Sequence, residues 1–109
     1  MANGILGSVD LAATTYTEFY EVPTETFAVV TVAFTNKTTS TIEVRLAATK
    51  PENSSTPEAD DYLEYNAQIL PGGVLERSGV VLEAGRRLFA HSDSANTVAM
   101  VYGIETPTA

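Results

Sequence analysis

His91, Ser92 and Asp93 stand side by side and bring together the residue types of a hydrolytic triad. A triad needs its three side chains in one line of hydrogen bonds. The run Arg87–His91 has the character of a strand, and successive strand residues point to opposite faces. Adjacency along the chain therefore argues against a relay. His91 is the sole histidine, there is no Gly-x-Ser-x-Gly elbow, and the absence of cysteine excludes disulfides, thiolate metal sites and a cysteine nucleophile. The expectation is a protein that is not an enzyme, with no catalytic residue.

Other residues could bind rather than react. Glu58, Asp60, Asp61 and Glu64 offer carboxylate oxygens to calcium, but without the fixed ligand positions and sixth-position glycine of an EF-hand. A solvated acidic loop is the expectation, with an irregular loop site as the alternative, and no metal or cofactor is assigned. Gly72-Gly73, Gly79 and Gly85 lie in no strand–glycine-loop–helix context, so a phosphate cradle is not supported. Residues 1–36 carry Asp10, Glu18, Glu21 and Glu25 and no base, whereas Arg77, Arg86 and Arg87 are half of the six basic residues. The acidic early part of one copy could meet these arginines on another; isolated surface charges are the competing reading. Tyr16, Phe19, Tyr20, Arg77, Arg86 and Arg87 are the candidate oligomer or partner contacts. Tyr16, Tyr20, Tyr62 and Tyr65, beside acidic and amide groups, are the candidates for a sugar site, against a competing role as core tyrosines.

The elements that must position these residues are strands. At 109 residues the chain is long enough for one domain, and 44% apolar residues suit a packed core. A net charge of −8 is the reverse of what counterion displacement on nucleic acid requires. No stretch approaches a membrane span, and Met1-Ala2-Asn3-Gly4 lacks the features of a secretory signal. The sequons at Asn36 and Asn53 are therefore expected to be chance.

Residues 4–12 read as a short strand or an extended arm, and 14–22 as a strand ended by Pro23. Residues 26–36 are apolar on both faces, with Ala28, Val30, Val32 and Phe34 on one, which predicts a central strand covered on both sides or at a subunit contact. Residues 41–49 alternate cleanly, and with 26–36 they read as a hairpin. The loop 50–61 follows, then Tyr62–Asn66, for which an extended segment competes with a helical turn starting at Asp60. The runs 74–82, 87–91 and 97–105 read as a terminal meander. The expected core includes Val30, Val32, Phe34, Val44, Leu46, Leu88, Val98, Met100 and Tyr102. Seven or eight short strands without helix alternation predict an all-β antiparallel sandwich, jelly-roll or immunoglobulin-like. Its expected parts are an N-terminal arm or first strands over 1–22, a core over 23–106 and a tail over 107–109.

The segment from Pro71 to Glu105 has a proline-glycine turn, a Val-Leu-Glu-Arg strand, Gly-Val-Val-Leu-x-x-Gly, an aromatic strand and a final Tyr-Gly-Ile-Glu. With Val30-Thr31-Val32, Asn36 and Tyr62–Tyr65 upstream, it resembles small β-sandwich virion proteins of tailed bacteriophages, cyanophages among them. The resemblance covers roughly residues 26–105 and carries no catalytic or binding residues. It implies a structural role: a capsid decoration (cement) protein, or a tail, baseplate or fibre component. The protein would be made in the host bacterial cytoplasm and reside in the virion. Its partners would be itself, as a trimer or other small ring, and a capsid or tail protein. A carbohydrate-binding module is the alternative from a different class. Residues 1–22 would serve as the contact arm.

Overall fold

Each apolar run of strand length becomes a strand. The computed structural model describes residues 3–53 and 55–108. Met1, Ala2, Ser54 and Ala109 lie outside the described residues, and with them the ends of the expected arm and tail and the centre of the Asn53 sequon. The strands are β1 (Asn3–Leu11), β2 (Thr17–Glu21), β3 (Thr26–Asn36), β4 (Ile42–Thr49), β5 (Tyr62–Ile69), β6 (Val74–Leu82), β7 (Arg87–Ser92) and β8 (Thr97–Pro107). Tyr62–Asn66 is extended, so the helical alternative does not form. Among the described residues no helix is long and apolar enough to cross a membrane.

Two four-stranded antiparallel sheets form, in the orders β1-β8-β3-β6 and β2-β7-β4-β5. The hydrogen-bonded pairs β1·β8, β2·β7, β3·β6 and β4·β5 describe one long antiparallel ribbon wrapped over itself. That is the eight-stranded jelly-roll connectivity rather than the immunoglobulin order. Two expectations fail here. Residues 26–49 are not a hairpin, because β3 and β4 lie in opposite sheets. Nor is the last third a meander, since β6, β7 and β8 alternate between sheets. Sequence adjacency favours local pairing, but the apolar inner faces of β3 and β4 are buried by facing each other across the core as opposed layers.

The core joins Leu11, Tyr20 and Val22 to Val30, Val32, Phe34, Ile42, Val44, Leu46, Leu88 and Val101. Residues 3–22 are thus first strands, hydrogen-bonded into both sheets, and not a separate arm. At the other end, Pro107 belongs to β8, and the Thr108 amide donates to the Glu25 carbonyl at 2.9 Å.

Val98, Met100 and Tyr102 are a further correction. They point outward, and Thr97, Ala99 and Val101 fill the interior. Register decides this. Phe34 pairs with Ala99 and Val32 with Val101, and residues directly opposite one another share a face. The inward side of β3 therefore draws the smaller residues of β8 inward.

The sheets approach closely along β1 and β2, where a Cβ on Gly7 would collide with the Phe19 carbonyl oxygen. They part at the β5–β6 side, which leaves an open cleft of about 340 Å³ between Tyr62, Leu63, Arg77, Val80 and Arg86.

Candidate functional site

The outer face of the β2-β7-β4-β5 sheet carries the densest group of chemically able side chains. Its foundation is Ala47, paired directly with Phe89 on one side and Tyr62 on the other. Ala47 and Phe89 are buried although they face away from the core. Above them the Tyr16 and Tyr62 hydroxyls share a hydrogen bond of 2.6 Å. Tyr16 also lies against the His91 ring, with centroids 4.6 Å apart. Tyr62 and Tyr65 meet edge to face at 4.9 Å and 89°, so one ring forms a wall to the other.

A bulge in β5 completes the group. Val44 pairs with Ala67 and Leu46 with Glu64, so Tyr65 and Asn66 together oppose the single residue Arg45. Asn66 takes the left-handed conformation there, with φ 54°, which asparagine tolerates better than most residues. The Arg45 guanidinium lies 4.2 Å from the centre of the Tyr65 ring. Its Nε donates to Asn66 Oδ1 at 2.7 Å and Nη1 donates to the Tyr16 hydroxyl at 2.9 Å. The Tyr16 hydrogen bond holds Arg45 more firmly protonated than an ordinary arginine. Burial, aided by the Tyr16 hydroxyl, pushes the Tyr62 phenol up to about 12. Burial, then the nearby Arg45 charge, lowers the His91 imidazole, with Asp93 opposing. Beside Tyr62 and Tyr65 lies a hollow of about 490 Å³, walled by Pro57 and Ala59.

The acidic loop is organised by a lysine. Carboxylate oxygens of Glu58, Asp60 and Asp61 lie within 4.8 Å of one another. Lys50 Nζ reaches them at 3.4, 2.5 and 2.8 Å respectively. These hydrogen bonds raise the lysine above its ordinary value and lower Asp60. The ammonium stands where a cation would be sought. Glu64 takes no part, because it pairs with Arg77 at 3.0 Å.

The six candidate contact residues scatter. Tyr16 joins the aromatic group, and Phe19 packs against the core. Tyr20 is buried and donates to Glu105 Oε2 at 2.5 Å; burial, then that carboxylate, raises its phenol well above its ordinary value. Tyr20 therefore leaves the sugar-site candidates. Arg77 ties β6 to β5 through the Leu63 carbonyl at 3.1 Å and Glu64. Arg86 meets Glu83 at 3.1 Å and the Ala48 carbonyl at 3.3 Å. Arg87 contacts Glu18 at 3.3 Å and Glu21 at 3.6 Å within the same chain. The complementarity of early acids and late arginines thus operates for Arg87 inside one molecule, because β2 pairs with β7.

The triad types diverge as strand alternation demands. His91 lies tilted against Tyr16, the buried Ser92 hydroxyl bonds Thr97, and Asp93 Oδ1 accepts from the Glu43 amide at 3.1 Å. Arg45, Asn66 and Asn36 were not among the sequence candidates. Clean alternation marked Arg45 as outward-facing, but nothing local signalled the β5 bulge that gives it partners.

On the opposite side of the sandwich, Val29 pairs with both Ile104 and Val81, forming an in-register apolar row across the outer face of β1-β8-β3-β6. Val81 is 65% exposed and Ile104 51%, despite their large apolar side chains. No family model, no curated protein and no solved structure matches this chain.

Proposed function

We propose that this chain is a non-enzymatic structural protein of a tailed-bacteriophage virion, a capsid decoration protein seated on the shell through the outer face of its β1-β8-β3-β6 sheet. The observation that carries the docking face is the exposed, in-register row Ile104–Val29–Val81. Val98, Met100 and Tyr102 extend outward on the same face. Contiguous apolar surface of this kind marks protein contact, with the Tyr102–Glu76 hydrogen bond as polar surface beside it. The resemblance of residues 26–105 to phage virion proteins supplies the partner class. Copies would be arranged by the local symmetry of the shell, as a trimer or another small ring.

Co-sedimentation of the purified protein with shells of the encoding phage tests this reading. Val81→Glu and Ile104→Glu place charge at exposed positions and should leave the melting temperature near that of the parent. Both should lose shell association. Failure of the parent protein to associate, or undiminished association of both variants, would refute the proposed docking face.

A further inference from the structure

We propose that the aromatic corner on the outer face of the β2-β7-β4-β5 sheet is a binding site for a neutral pyranose sugar. This inference is independent of the shell-docking reading, because it uses the opposite side of the sandwich.

The geometry supplies the two things a pyranose requires. Its apolar side presents polarised C–H groups, which are attracted to the negative face of an aromatic ring. Tyr65 is 58% exposed, and Tyr62 stands perpendicular to it, so the pair makes a floor and a wall. Pro57 and Ala59 complete a hollow whose lining mixes apolar and polar surface. Sugar hydroxyls then need fixed hydrogen-bonding groups nearby, and Asn66 follows Tyr65 in β5. Arg45 Nε engages Asn66 Oδ1, which orients the Asn66 amide and leaves Nδ2 as an available donor. The aromatic rings are held by one another and by Arg45, so little side-chain ordering remains to oppose binding.

Charge selects among ligand classes. A cationic ligand would seek the tyrosine faces, but it is repelled by the charge of Arg45, 4.2 Å from the centre of the Tyr65 ring. An anionic sugar would approach a chain of net charge −8, beside the loop that carries Glu58 and Asp60. A neutral sugar meets no charge repulsion and uses the Tyr65 surface that Arg45 leaves open, Tyr65 being 58% exposed. A polyproline segment also favours aromatic grooves, but it makes less use of the oriented Asn66 amide.

The chain has five tyrosines and no tryptophan, so tyrosine emission reports directly on such a site. Titration of the full chain with the methyl glycosides of glucose, galactose and mannose, and with N-acetylglucosamine, is the test, followed by fluorescence and by amide chemical shifts. At least one should bind saturably with a Kd on the order of 1 mM. Amide shift changes should be confined to residues around Tyr62, Tyr65 and Asn66. Tyr65→Ala should abolish saturation. Asn66→Gly, which keeps the left-handed backbone, should weaken binding by roughly tenfold, about one hydrogen bond. Thr39→Ala, in the exposed β3–β4 turn, should bind as the parent does. No saturable binding of any of these sugars would overturn the proposal, as would binding unaffected by Tyr65→Ala. Capture of a proline-rich peptide without any sugar would assign the hollow to another ligand and also overturn it. Loss of shell association with sugar binding intact would count only against the docking reading.

Discussion

Asn36 is 1% exposed, and its side-chain amide closes two turns at once. Nδ2 donates to the Ser40 carbonyl at 2.8 Å, Ile69 at 3.0 Å and Leu70 at 3.1 Å, while Oδ1 accepts from the Thr38 amide and hydroxyl. The first sequon is thus occupied by a structural asparagine. Asn36→Ala would strip partners from several buried or half-buried backbone groups and should cost about 2–4 kcal/mol, read from the shift in urea midpoint. A change below about 0.5 kcal/mol would mean water replaces the amide. His91 gives a pH signature. Its imidazole is lowered by burial and by Arg45, so the charged form is disfavoured in the folded state. Its contribution is complete above the unfolded value near pH 6.5 and is lost as pH falls through the lower folded value. Melting temperature should therefore decline between about pH 7 and 5. An imidazole NMR midpoint at or above the unfolded value would contradict this. Asp60 and Glu83, held low by Lys50 and Arg86, act in a separate, more acidic window.

Among elements, β1 and β2 show how a glycine can be read in opposite ways. Two glycines within residues 4–12 suggest a weakened strand, yet Gly7 is what lets β1 close upon the β2 backbone at Phe19. Gly7→Ala should force the sheets apart there and cost about 1–3 kcal/mol or more. Gly79 provides the contrast. It sits at φ 71° with open space around the position of a Cβ, so alanine there should cost only the roughly 1–2 kcal/mol of left-handed strain. Thermal denaturation of both variants separates close approach from backbone conformation, and equal losses would show that Gly7 is not a packing residue. The same distinction between type and placement governs β8. Both of its faces are apolar enough to be buried, and side-chain size points to Val98, Met100 and Tyr102. Pairing with β3 selects Ala99 and Val101 instead.

At the scale of the molecule, the wrap makes the two ends of the chain interdependent. β1 pairs with β8 and β2 with β7, so the first 22 residues supply an edge to each sheet and Leu11, Tyr20 and Val22 to the core. A chain beginning at Thr24 would lose both edges and expose the interior. It should lack a cooperative unfolding transition, with near-ultraviolet signal lost and dye-accessible apolar surface gained. A truncated chain that melts cooperatively near the parent's temperature would restore the idea of a detachable arm. The open β5–β6 side, bridged by Arg77, and the closed β1–β2 side give the sandwich two unlike edges.

The amino-acid sequence alone determined most of the strands, because period-two alternation and turn residues are local properties, whereas β1 and β5 admitted other readings. Runs at 26–36, 41–49, 74–82 and 87–91 differ from the observed strands by at most one residue at an end, and the last extends only to Pro107. It also determined the inward faces of β3, β4 and β7, where one face is the better one to bury. Pairing and register were decided by the tertiary structure. Turns 37–41 and 83–86 can either reverse a chain within one sheet or carry it across to the other, and the difference lies in how the whole core is covered. Once the ribbon wraps, Arg87 meets its acids inside the molecule, Tyr20 turns inward, and Tyr16, Arg45, Tyr62, Tyr65 and His91 converge from four separate segments. No spacing along the chain encodes that convergence, because it depends on a bulge and on strands paired across dozens of intervening residues.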